Sequence, residues 1–159
     1  MNLTVVCVGK IKEAFFRDAI AEYSKRLSRY CKLNVIEVDD EKTPDECSRA
    51  EKDRILKKEA DRIMSRIPDG SYVITLEIGG KSLSSEELAS RVSELCVNGI
   101  SHVVFVIGGS LGLHADVTAI AGEHLSFSRM TFPHQLMRVI LLEQVYRSFR
   151  IINHEPYHK

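Results

Sequence analysis

The chain has no CxxC pair and no cysteine–histidine group at metal-ligand spacing; its four cysteines, Cys7, Cys31, Cys47 and Cys96, are scattered. That pattern argues against a disulfide framework or a metal centre. It leaves small buried hydrophobes as the expectation for the three that sit in or beside apolar segments. No apolar run is long enough for a bilayer span. The N-terminal LTVVCVG is too short for a secretion signal and passes directly into charged residues, so a cytoplasmic chain is expected. Net charge is also lacking: 22 Lys and Arg balance 22 Asp and Glu, which removes any global pull toward nucleic acid. Neither repeat nor linker interrupts the 159 residues. A single domain spanning 1–159 is expected, large enough for a sizeable core.

What charge there is lies unevenly. Lys10 to Lys32 carries seven basic and three acidic residues, and Glu37 to Glu46 carries six acidic residues against Lys42 alone. Arg129 to Lys159 has five basic residues, two acidic ones and three histidines. Local basic surfaces of this kind suit RNA and equally suit solvated helix faces.

Strand and helix signals alternate along the chain. LTVVCVG reads as a strand, followed by a helix from about Glu13 to Tyr30 whose Phe16, Ile20, Tyr23, Leu27 and Tyr30 form one stripe. LNVIEVDD is a second strand, a helix covers about Thr43 to Ile67, and YVITLEI is a third strand after the PDG turn. SSEELASRVSEL opens with a capping box, and HVVFVIGG is a fourth, doubly buried strand. A helix from about His114 to His124, a short strand in LSFSRM and a long helix from Pro133 to about Arg150 complete the pattern. The fold class is α/β, a mainly parallel sheet flanked by helices.

VFVIGGSLGL, Val104 to Leu113, ends its strand in glycines. A dinucleotide fingerprint needs glycine where Ile107 stands and an acid some 20 residues on, where Ser128, Arg129 and Met130 stand instead. The P-loop pattern is absent too. Three strand ends nevertheless converge in expectation: Thr75-Leu76-Glu77, Ile107-Gly108-Gly109 and Leu125 to Met130. A pocket between them would be mostly apolar with free main-chain groups, suited to an adenosine-bearing ligand held without a phosphate clamp.

The last helix is apolar on most of its circumference, with Glu143, Arg147 and Arg150 on one side and Arg138 opposite, near Leu142 and Val145. A helix so apolar and so near the chain end suits a symmetric dimer interface. Arg138 then reads either as half of an ion pair across that interface or as a guanidinium facing a ligand. The tail HEPYHK places Tyr157 and His158 where they could stack on a base or move a proton.

Taken together, VIGGSLGL, LSFSRMTFPHQLMRVILLEQVYR and the terminal PYHK resemble the RlmH family, the SPOUT-type methyltransferases of the large ribosomal subunit, over the whole chain. The resemblance rests on Gly108, Gly109, Gly112, the FPH triplet, Arg138, Glu143, Tyr146 and the tail. Leu111, where relatives often carry a polar residue, and Lys159 depart from the pattern. The resemblance implies a C-terminal trefoil knot, which sequence physics alone would not suggest, and a homodimer formed through the C-terminal helix. It implies S-adenosylmethionine as cofactor and N3 of a pseudouridine in the 23S rRNA of assembled ribosomes as substrate, with no metal and no membrane. It assigns cofactor contacts to Leu76, Gly108, Gly109 and the run Phe127, Ser128, Arg129, Met130, Thr131 and Phe132. The N3–H of pseudouridine is a weak acid, so a base or a cation should assist. His158 or Tyr157 is expected near that base, Arg138 as the electrostatic partner, and Glu143 and His134 as orienting groups. Competing readings are a methyltransferase of another RNA, such as tRNA, and a non-catalytic ribosome-binding module.

Overall fold

The computed structural model describes residues 1–157. Its elements alternate as the pattern predicts: β1 (Asn2–Val8), α1 (Ala14–Leu27), β2 (Lys32–Val38), α2 (Arg49–Met64), β3 (Tyr72–Ser82), α3 (Ser85–Val97), β4 (His102–Ile107), α4 (Ala115–Ala119), β5 (Glu123–Ser126) and α5 (His134–Ile152). The five strands form one parallel sheet in the order β2-β1-β4-β3-β5.

The two central strands are apolar on both faces because both faces are covered. Leu3, Val5 and Cys7 of β1 join Phe105 and Ile107 of β4 beneath α1, α3 and α5. Val6 and Val8 with Val104 and Val106 face the other way, toward α2 and α4. α2 and α3 each begin with a complete capping box, Ser48 with Glu51 and Ser84 with Glu87, which fixes where each helix starts. Cys7 and Cys31 are buried, as expected of small hydrophobes, whereas Cys96 is exposed on the outer face of α3.

α2 starts at Arg49, behind its Ser48 cap, and not at the expected Thr43. Three further boundaries differ from the sequence pattern, each for a tertiary reason. β3 runs on through Gly79 and Gly80 to Ser82, shifting its register against β5 between Leu76 and Lys81. α4 has five residues and stops well short of His124. The chain must there reach the sheet edge, where the Gly122 N–H bonds the Val73 carbonyl at 2.9 Å and β5 begins at Glu123. Residues 127–132 are consequently a connecting segment instead of the end of a strand; within it the Met130 N–H bonds Ser128 Oγ at 2.9 Å. Pro133 caps α5 from just outside the helix.

Candidate active site

The three strand ends singled out in the sequence meet. Where β3, β4 and β5 finish, a cleft of about 820 Å³ opens between the glycine loop, the 127–132 segment and the start of α5. This is the size and place expected of a ligand site in an open parallel sheet. Its walls are mainly apolar: Leu76, Ile107, Leu125, Phe127, Phe132 and Met137.

The glycine loop closes on itself. Gly109 and Gly112 form an isolated antiparallel bridge, the Gly112 N–H bonds the Gly109 carbonyl at 3.1 Å, and Gly112 has φ 84°. A Cβ at Gly108 would stand 2.5 Å from the Gly112 oxygen and 3.0 Å from Leu113 Cδ2. The bare backbone at Gly108 is therefore needed for the loop's own closure, before any ligand is considered. Gly108 and Gly109 line the cleft, as do Leu76, Ser128, Met130 and Thr131. Arg129 is exposed and does not.

The catalytic candidates divide into two groups. His134, in the first turn of α5, lines the cleft. Burial, and then the Arg138 charge, pull its pKa below the usual histidine value, so the ring is neutral at pH 7 and free to accept a hydrogen bond or a proton. Arg138, one turn on, is completely buried. Its guanidinium donates to Glu37 Oε1 at 2.8 Å and to the carbonyls of Val8 and Gly9 at 3.0 and 2.6 Å. Of the two readings of Arg138, the ion pair is present but made within the chain and not across a subunit interface, because the N-terminal part of α5 lies over the ends of β1 and β2. The guanidinium does not line the cleft. Nε of Arg138 has no partner among the described residues. A Cβ at Gly9 would stand 3.1 Å from His134 Nε2 and 3.9 Å from Arg138 Nη2, so both side chains crowd the end of β1.

The second group lies on the opposite side of α5. Glu143 accepts from Arg147 Nη2 at 2.6 Å and from the Tyr157 hydroxyl at 3.1 Å. The Arg147 guanidinium sits 4.7 Å from the centre of the Tyr157 ring, which meets Tyr146 edge-on at 5.0 Å. Burial and the neighbouring Glu143 push the Tyr157 pKa up to about 12, so in this position the phenol is a donor and keeps its proton. Glu155 anchors the tail through Tyr30, Arg150 and Arg29. Neither Glu143 nor Tyr157 lines the cleft. His158, and the closing Lys159, lie outside the described residues.

Sequence reasoning missed two acids. Glu37 was visible only as part of an acidic stretch, and its partner Arg138 lies 101 positions away. Glu77 stands out in the sequence only as a strand end, yet it is the one carboxylate among the described residues lining the cleft. Among the described residues no group of three or more His, Cys, Asp or Glu could hold a metal ion, and no helix is long and apolar enough to cross a membrane.

Comparison with known proteins gives this geometry a family. The family model described as "Predicted SPOUT methyltransferase" matches residues 1–158. A chain from Methanococcus maripaludis is 61% identical over 159 residues, covering 100% of both chains. "Ribosomal RNA large subunit methyltransferase H" of Clostridium beijerinckii is 56% identical over 159 residues, again 100% of both. Among solved structures, a probable methylase family protein from Haemophilus influenzae Rd KW20 superposes with a TM-score of 0.56 at 14% identity, over 99% of this chain and 70% of that one. That likeness shows the fold. With the match over nearly its whole length and relatives this similar, the chain belongs to the SPOUT methyltransferase family.

Proposed function

We propose that the chain is an S-adenosylmethionine-dependent methyltransferase that modifies N3 of a pseudouridine in the 23S rRNA of the assembled ribosome, acting as a homodimer. The observation that carries this reading is the mostly apolar cleft at the ends of β3, β4 and β5, walled by main chain at Gly108 and Gly109. The names of the relatives supply the RNA. The residues fit the cofactor: apolar side chains offer an adenine surface, and no Lys or Arg among the described residues lines the cleft as a phosphate clamp would. Leu76, Gly108, Gly109 and the segment Phe127 to Phe132 would hold it.

Bound there, the cofactor supplies an electrophilic methyl group. The chain's own contribution is mainly positioning. His134, neutral at the cleft wall, can accept a hydrogen bond or proton from the substrate side. Arg138 acts as a positioning residue: it ties α5 to the ends of β1 and β2, and its charge adds to the effect of burial in lowering the His134 pKa. Tyr157 serves as a donor in its docked position, and His158 is the tail's remaining candidate base. Dimerisation is supported by Ile78 and Met130, two cleft-lining hydrophobic residues that are 54% and 73% exposed and that a partner subunit would cover. The expectation of a C-terminal trefoil knot goes with family membership. Zero net charge favours recognition of a shaped ribosomal surface over free RNA.

The test uses ribosomes from a strain lacking the protein, incubated with purified chain and labelled methyl donor and mapped by mass spectrometry. The expected result is one labelled pseudouridine in 23S rRNA. Label in tRNA alone would favour another RNA, and no label anywhere a non-catalytic ribosome-binding module.

A further inference from the structure

On the reading of the cleft as an S-adenosylmethionine site, we propose that Glu77 is the acceptor for the ribose hydroxyls of that cofactor, held in place by Thr75 and His124. Thr75 and Glu77 project from the same face of β3, and Thr75 is paired across the sheet with His124 of β5. The fully buried Thr75 hydroxyl donates to Glu77 Oε2 at 2.6 Å, and His124 Nδ1 donates to the same oxygen at 2.5 Å. Two donors therefore converge on Oε2, while Oε1 makes no hydrogen bond to the described residues. An ionised carboxylate only accepts, and this one lines the cleft, so Oε1 remains an acceptor open to a donor there, water or ligand.

Cross-strand closure does not require this acid. Thr75 and His124 already meet at 2.9 Å and would pair without it. The acid instead stands just beyond the pairing of Leu76 with Ile107, beside the start of the glycine loop, and lines a mainly apolar cleft. A strand-end acid close to a glycine loop is the arrangement by which open α/β sheets bind ribose hydroxyls. The vicinal diol is the donor group that S-adenosylmethionine and its demethylated product, S-adenosylhomocysteine, share on the nucleoside.

Calorimetric titration with both compounds tests this, with unfolding temperature as the control for folding. In Glu77→Gln the two donors fix the amide oxygen at the Oε2 position and leave an NH2 donor where the acceptor stood. Affinity for both compounds should then fall about tenfold and by the same factor, with little change in unfolding temperature. His124→Ala should weaken binding by less, and His124→Asn, which keeps a donor near the Nδ1 position, should restore it. A 2′-deoxy analogue of S-adenosylhomocysteine should bind the unsubstituted chain more weakly than its parent and Glu77→Gln no differently. Unchanged affinity in Glu77→Gln, or a loss for S-adenosylmethionine alone, would overturn the assignment while leaving the cofactor reading intact. Failure of the unsubstituted chain to bind either compound would overturn the cofactor reading itself.

Discussion

Arg138 and Arg147 stand on one helix and meet opposite surroundings. The Arg138 side chain is 0% exposed and bonds the fixed main chain of β1; that of Arg147 is 24% exposed and bonds Glu143 while stacking on the Tyr157 ring of the tail. The difference separates two kinds of work. On the cleft side, α5 is part of the framework that gives the ligand site its shape. On the tail side, it offers a docking place built of partly exposed pairs, each worth little in stability. Substitutions on the first side should cost fold and function together, and on the second function alone.

Arg138→Ala tests the first half most severely. It leaves the Glu37 carboxylate and the Val8 and Gly9 carbonyls without their donor and should cost about 3 kcal/mol in denaturant unfolding. Methyl transfer should fall at least ~10²-fold. Arg138→Lys should rescue only part of this, since an ammonium cannot reproduce the forked contacts. A normal unfolding midpoint for Arg138→Ala would break the comparison.

Gly108→Ala comes next. Its methyl group would meet the Gly112 main chain, so the loop must shift at about 1–3 kcal/mol, with weaker cofactor binding by calorimetry. Gly109→Ala would crowd Val8 Cγ1 at 3.1 Å and make ordinary contact with the Glu59 carboxylate at 3.5 and 3.6 Å, with no main chain in the way, and should be milder.

A smaller effect is expected from pH. The folded pKa of His134 lies below its ordinary value, so the unfolded chain takes up the proton first as pH falls. Stability should be full above about pH 6.5 and decline as pH drops through the folded value. His134→Gln should flatten that slope, by less than one proton, in urea melts between pH 7 and 5. An unchanged slope would show that the ring is not held neutral.

Much of the framework was legible because it is local. Period-2 and period-3.6 patterns found the strands and the long helices, and Ser84 with Glu87 marked the start of α3. The grouping of three strand ends into one cleft followed from glycine placement and the general behaviour of parallel sheets. The failures are non-local. Nothing near His114 says that the chain must turn at Gly122 to reach β3, so the local pattern overstates the length of α4. Arg138 showed itself as a buried cation, but its partners lie on β1 and β2. Glu77 acquires meaning only when His124 is brought across the sheet edge.

The tail carries the smallest expected effect on stability and the most direct test of the division between the two sides of α5. Among the described contacts, removing Tyr157 to Lys159 deletes the Tyr157 hydrogen bond to Glu143, the ring under Arg147 and its edge contact with Tyr146, all partly exposed, so unfolding should change by about 1 kcal/mol. Titrate that shortened chain with S-adenosylmethionine by calorimetry. The affinity should match the full-length chain while transfer to ribosomes is lost. Loss of binding on deletion would mean that the tail helps to form the cleft and would contradict the separation.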